Sequence, residues 1–196
     1  GSVAPDLPYL SLADFDLFEN QTAIADDLHT KHTNAVPLQG LLQAKHQVEL
    51  KNTKLAEALF AFYLGYCSHF TADGLIHPFV RDKVGDYEVA KKGHRILEMK
   101  LDVFVANKFM GTEVNGIDFQ DDLDWIEDCS FKTEIFVSYS GLLNSHYGCT
   151  MDSEHIQDWY SAMQRVFSLA EGEFPKWYRE FLGNPGFVFK NYEDLV

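Results

Sequence analysis

Apolar side chains recur at helical spacing along several stretches of this chain. The clearest stretch runs from Lys54 to Ala72, where apolar residues share one face and alanines favour the helical state. Gly74 and Pro78 are expected to end this helix. A second long helix is predicted from Asp86 to Phe109, with one broad apolar face. The two strongest patterns therefore both predict helix.

Shorter helices are predicted on either side of this pair. Pro37 disfavours helix at Val36, just before one of them, and Asp152 or Ser153 would cap another. Gly1 to Asn20 is predicted as a loop with short turns, Asp118 to Asp128 is ambiguous, and the tail from Gly183 is expected to be irregular. The shorter helices are Asn20 to His32, Leu38 to Leu50, Thr133 to Ser145, Asp152 to Ala170 and Phe174 to Leu182. The fold class predicted is all-α, with six or seven helices and little or no sheet.

Length and composition suit a single domain over residues 1–196, with a sizeable core. Hydrophobic residues make up 46% of the chain, yet no apolar run approaches the ~20 residues that cross a bilayer. No signal peptide is visible, which favours a soluble cytoplasmic protein, whereas processing at the N terminus would fit secretion. The abrupt opening at Gly1 leaves open a chain that lacks an N-terminal segment.

The charge of the chain limits its partners. Its formal net charge of −14 argues against broad binding to nucleic acids or anionic membranes, so no stable nucleic-acid partner is expected. A small phosphate ester is not excluded, because a bound metal can invert the local field.

Histidine and carboxylate residues concentrate within the two long predicted helices. His69 and Asp73 are four residues apart, so their side chains project from one helical face. His77 follows just past the expected break at Gly74, where a turn could aim it anew. His94 and Glu98 repeat the four-residue spacing on the next helix.

This pattern indicates a metal site only because it is repeated. One such pair alone would by default be a surface hydrogen bond or ordinary helix pair. Two pairs on successive helices, with a further histidine between them, favour a metal site. Neutral imidazole together with carboxylate suits zinc and needs no thiolate.

At this point the sequence resembles the zinc-dependent phospholipase C family, whose fold is shared with fungal zinc-dependent single-strand nucleases. The resemblance lies in LGYCSHFTADGLIHP from Leu64 to Pro78 and in GHRILEMKLD from Gly93 to Asp102. The opening GSVAPDLPYL resembles the family's Pro-Asp loop, and ADDLHTKHT resembles its next histidine segment. The motifs cover about the first half of the chain.

The resemblance implies a division of the ligands between two zinc ions. Asp6, His29, His69 and Asp73 would hold one ion, although His32 lies close to His29. A second, separate zinc would be held by the remaining ligands, His77, His94 and Glu98. In the family, the counterpart of Asp73 also bridges to a third zinc, held by the N-terminal residue and an early histidine. This chain has no histidine before His29, so a preceding segment is lost, the third metal is absent, or another histidine substitutes.

The function that the resemblance implies is hydrolysis of phosphate esters by a phospholipase C-like phosphodiesterase. A zinc-activated hydroxide would attack phosphorus, with Asp6 or Asp73 as the catalytic carboxylate that orients it. The expected substrate is a phosphate-ester small molecule or a phospholipid head group. The alternatives are a zinc-dependent nuclease or nucleotidase, or a catalytically incomplete helical module that zinc stabilises.

The aromatic residues near the motifs admit two roles. They could shape a substrate pocket or bind a choline-like cation, but for each of them core packing is the expected role. The residues in question are Tyr9, Phe15, Phe18, Tyr66, Phe70 and Phe79.

Overall fold

A computed structural model describes residues 1–10, 21–111 and 126–171 of the chain. The fold is all-α, and the described residues contain no strand. A 3₁₀ turn at Ala4–Asp6 opens the fold, and a π-helical turn at Ala106–Met110 continues α5. The α-helices are α1 (Leu7–Leu10), α2 (Gln21–Thr30), α3 (Ala35–Glu49), α4 (Thr53–Val84), α5 (Tyr87–Val105), α6 (Lys132–Tyr147) and α7 (Ser153–Glu171).

Most of the predicted helices are confirmed within a few residues at each end. The prediction that Pro37 disfavours helix at Val36 is wrong, since α3 begins at Ala35. Pro37 lies in the first turn, where a backbone N–H has no partner inside the helix, so its missing donor costs little there. The cap predicted at Asp152 is confirmed, because its Oδ1 accepts hydrogen bonds from the backbone N–H groups of Glu154 and His155.

The predicted break at Gly74 and Pro78 is wrong, since α4 continues through both residues to Val84. Pro78 cannot donate the helical hydrogen bond to the carbonyl four residues earlier, which belongs to Gly74. Both residues are exposed, so that carbonyl remains open to solvent and the loss is tolerated. His77 therefore stays on the helix, one turn after Asp73, and no turn aims it anew.

The N-terminal residues pack along α4. The sequence predicted a loop with short turns here; residues 4–6 form the 3₁₀ turn and residues 7–10 form the short helix α1. A Cβ added to Gly65 would lie 2.9 Å from the backbone N of Ser2 and 3.2 Å from the Cα of Gly1. The absence of a side chain at Gly65 thus allows the start of the chain to approach α4 closely.

The chain divides into two compact units. The first consists of residues 1–72 and 123–166, and its described helices enclose a core of large aromatic and aliphatic side chains. The fully buried members include Leu28, Tyr63, Tyr66, Tyr139, Leu143, Ile156, Trp159 and Met163. In this unit the Tyr63 hydroxyl, the Ser138 hydroxyl and the Gln43 side chain form a hydrogen-bonded chain that links α4, α6 and α3.

The second unit comprises residues 73–122 and 167–196. Its described part contains the C-terminal end of α4, α5 and the π-helical turn, with Val80, His94 and Ala106 buried. Whether residues 1–196 behave as one domain stays a prediction. None of the helices described is long and apolar enough to cross a membrane. The predicted helix at Phe174 to Leu182, the tail and most of Asp118 to Asp128 lie outside the described residues.

Candidate metal centre

Three predicted ligands converge in the first unit. Asp6 ends the 3₁₀ turn, His29 lies near the end of α2, and His69 lies on α4. One ligand atom from each residue falls within 4.8 Å of the other two. Among the described residues, this is the one group of three or more histidine, cysteine or acidic side chains that meets this spacing.

The two imidazoles of this cluster face each other through their Nε2 atoms. The Nε2 atoms of His29 and His69 are 3.0 Å apart, and the Nε2 of His29 is 3.3 Å from Oδ1 of Asp6. Zinc–nitrogen bonds of about 2.0–2.1 Å in a tetrahedron place neighbouring ligand atoms about 3.3 Å apart. The donor set and its spacing therefore fit a zinc ion.

A backbone hydrogen bond orients His29. Its Nδ1 lies 2.8 Å from the carbonyl oxygen of Ala25, one helical turn earlier on α2. A carbonyl only accepts hydrogen bonds, so Nδ1 carries the proton and, in the neutral ring, Nε2 presents its lone pair to the cluster. Histidine ligands of metals commonly have such a partner, because it sets the tautomer and the ring orientation. Prediction from the sequence did not identify this role of Ala25, although its position four residues before His29 was the available signal.

Aromatic rings surround the two imidazoles. The Phe70 ring packs edge-on against His29 and His69, with centroid distances of 5.6 and 5.4 Å. Tyr9 lies 5.9 Å from the His29 ring, and its hydroxyl donates to Asp26 at 2.7 Å. The side chains of His29 and His69 are only 19% and 13% exposed, whereas that of Asp6 is 47% exposed. The cluster is therefore partly enclosed and opens on the Asp6 side.

A second cluster lies in the second unit. The Nε2 of His77 is 3.7 Å from Oδ1 of Asp73 and 3.9 Å from Oε1 of Glu98. The sequence predicted a separate role for His77 after a break, but the continuous α4 places it on the same face as Asp73. The His77 side chain is 59% exposed, so this cluster is more open than the first.

His94 occupies a different environment from His77. It is buried, and its Nε2 donates to the carbonyl oxygen of Gly85 at 2.6 Å. The Tyr87 ring also packs edge-on against it, 5.4 Å between centroids. Only Nδ1 of His94 is left for a metal, since a backbone carbonyl accepts the Nε2 proton.

Negative charge accumulates along α5 near this second cluster. Asp102 follows Glu98 by one turn, and desolvation of its carboxyl raises the pKa of Asp102. The Glu98 carboxylate adds a smaller increase in that pKa.

The three cysteines take no part in either cluster. Cys67, Cys129 and Cys149 are half-buried and unpaired. Burial raises the pKa of the Cys149 thiol, so thiolate is scarce there at neutral pH. Both clusters consist of imidazole and carboxylate groups alone.

A helical scaffold that brings histidine and carboxylate side chains together on successive helices defines a class of metal-binding α-proteins. Within this class, the model of the zinc dependent phospholipase C family matches residues 1–149. The chain therefore belongs to the zinc-dependent phospholipase C family. The match extends well beyond Asp102, where the motifs quoted from the sequence end. No curated protein and no solved structure matches the chain.

Proposed function

We propose that this protein is a phosphodiesterase that hydrolyses phospholipids or related phosphodiesters at a zinc centre built on Asp6, His29 and His69. The observation that supports this most is the approach of the two Nε2 atoms to each other, and of the His29 Nε2 to the Asp6 carboxylate. That Asp73 binds the same ion, as the family resemblance implies, stays a prediction.

A second zinc is proposed at the cluster of the second unit. His77, Glu98 and the Nδ1 atom of His94 would be its ligands. Zinc, when bound, supplies Lewis acidity and hydroxide at neutral pH. At the first cluster, a zinc ion together with the Asp6 carboxylate would leave a net charge of about +1, which attracts a phosphodiester anion.

The chain's own residues would orient and deprotonate the attacking water. Asp6 is the most exposed member of the first cluster, so its carboxylate is the proposed acceptor of the water proton. A bond forms from the water oxygen to phosphorus, and the bond from phosphorus to the ester oxygen breaks. The leaving alkoxide takes up a proton, so a phospholipid would yield a diacylglycerol and a phosphomonoester.

A substrate comparison tests this proposal. The purified, zinc-loaded chain is assayed on phosphatidylcholine vesicles, bis(p-nitrophenyl) phosphate and single-stranded DNA. We expect turnover of the first two, with loss of both in His69→Ala. Cleavage of DNA alone would replace this proposal with that of a nuclease.

A specific observation favours a second candidate, a zinc-stabilised helical module without turnover. His77 is largely exposed, and the Nε2 of His94 is hydrogen-bonded to a carbonyl. The second cluster is therefore less preorganised for zinc binding than the first. This candidate predicts tightly bound zinc together with no hydrolysis of any of the three substrates.

A further inference from the structure

Tyr66 carries a buried hydroxyl group to which neither cluster assigns a role. The residue is fully buried on α4, and its hydroxyl oxygen has no hydrogen-bond partner among the described residues. A buried phenol without a hydrogen-bond partner is unfavourable, so such a group in a packed core calls for an explanation.

The position of Tyr66 on α4 relates it to the metal centre. The start of the chain contacts α4 at Gly65 through residues 1 and 2, and at His69 through Asp6. Tyr66 lies between these two contacts, three residues before His69. It therefore lies on the part of α4 that the start of the chain approaches.

Two aromatic contacts support the same placement. The Tyr66 ring is 5.8 Å from that of Tyr139, whose hydroxyl donates to the carbonyl of Ala4 in the same turn. It is also 5.4 Å from the ring of Phe70, which packs on both imidazoles of the cluster. Tyr66 thus contacts the residues that support the cluster on two sides.

The Tyr139 hydroxyl lies near that of Tyr66 and lowers the pKa of the Tyr66 phenol, while it donates its own proton to the carbonyl of Ala4. Burial has the largest effect and raises the pKa of Tyr66, and the Asp6 carboxylate adds a smaller increase. Tyr66 therefore keeps its proton at neutral pH and remains a hydrogen-bond donor.

We infer that Tyr66 is a positioning residue for the metal ligand Asp6, to which its hydroxyl donates a hydrogen bond when the ion is held. A carboxylate ligand uses one oxygen for the ion and leaves the other to accept such a bond. The bond would orient Asp6 and satisfy the buried phenol at the same time. Groups in this position typically change metal affinity 10–100-fold when removed. The inference rests on the proposed role of Asp6 as a zinc ligand.

Tyr66→Phe removes the hydroxyl group and keeps the ring contacts. We expect zinc affinity, measured by competition with a chromogenic chelator, to fall about 10–100-fold. The melting temperature of the metal-free variant should equal or exceed that of the wild type, because the hydroxyl lacks a partner there. A purely structural role would lower the melting temperature and leave zinc affinity unchanged.

Tyr63→Phe provides a matched control on the same helix. Its hydroxyl bonds to Ser138, away from the cluster, so this variant should lose stability while zinc affinity stays constant. Equal zinc affinities for Tyr66→Phe and the wild type would overturn the inference alone. A wild-type chain that binds no zinc would overturn the proposed function instead.

Discussion

The orientation of single histidines distinguishes the two clusters at the scale of residues. His29 is held by the carbonyl of Ala25 and directs Nε2 at its partners, so its side chain loses little conformational entropy when zinc binds. His77 is largely exposed and lies beyond hydrogen-bond distance of both carboxylates. We therefore expect the cluster of the first unit to bind zinc more tightly than that of the second.

Replacement of His69 tests the tighter centre. His69→Ala removes one of the two facing imidazoles, so zinc content should fall by about one ion per chain, accompanied by a lower melting temperature. Elemental analysis and calorimetry provide the measurements. His46→Ala is the control, because His46 is exposed and pairs only with Glu49 in the contacts described. A full zinc content in His69→Ala would contradict the assignment.

Replacement of His77 tests the weaker centre. His77→Ala should remove the last zinc equivalent to bind in a titration and leave the first unchanged, because the ligands of the first cluster are intact. Isothermal titration calorimetry separates the two binding events. Loss of the tighter event in this variant would show that the ranking of the clusters is reversed.

At the scale of elements, α4 shows which features the sequence could predict. The helix itself, and the four-residue spacing of His69 and Asp73, follow from local periodicity. Its continuation through Gly74 and Pro78 does not, because the cost of a proline depends on whether the freed carbonyl faces solvent. That exposure is a property of the folded chain.

Local sequence patterns also could not predict that distant elements converge on α4. Asp6 and His29 reach His69 from a 3₁₀ turn and a separate helix, and the close contact at Gly65 makes the first approach possible. Family resemblance indicated these ligands, whereas periodicity alone would have indicated only His69. The hydrogen bond between His29 and Ala25, and the inferred role of Tyr66, could be found only from coordinates, since neither alanine nor tyrosine signals a metal site.

The contact between α3 and α4 gives a prediction at this scale. A Cβ added to Gly40 on α3 would overlap ring atoms of the buried Tyr63 on α4. Gly40→Ala should therefore destabilise the fold by about 1–3 kcal/mol, despite the better helix propensity of alanine. Denaturant unfolding provides the measurement.

Gly141 on α6 is the matched control for this variant. A Cβ added there meets nothing within 4 Å, so Gly141→Ala should stabilise the fold by up to ~1 kcal/mol. If Gly40→Ala unfolded at the same denaturant concentration as Gly141→Ala, the close packing of α3 on Tyr63 would be wrong.

At the scale of the whole molecule, zinc and stability should be coupled. A ligand that binds only the native state adds about 4 kcal/mol of stability at 1,000 times its Kd. Chelation with EDTA should therefore lower the melting temperature by several degrees, and added zinc should restore it. An unchanged melting temperature would exclude a structural contribution from the metal.

The same coupling predicts a dependence on pH. Protons compete with zinc for imidazole nitrogens, so zinc should be released as the pH falls below about 6. Dialysis at several pH values followed by elemental analysis measures this release. Retention of the full zinc content at pH 4.5 would argue against ligation by histidine.

The cluster of the first unit joins positions that lie far apart in sequence, with Asp6 near the start and His69 on α4. An ion held there would act as a reversible cross-link. When the ends of the chain are pulled, the cross-link would shield the segment between these two positions from the force. About 200 Å of contour length would be released only when the ion dissociates. Rupture forces recorded with and without zinc would then report on the strength of the coordination bonds themselves.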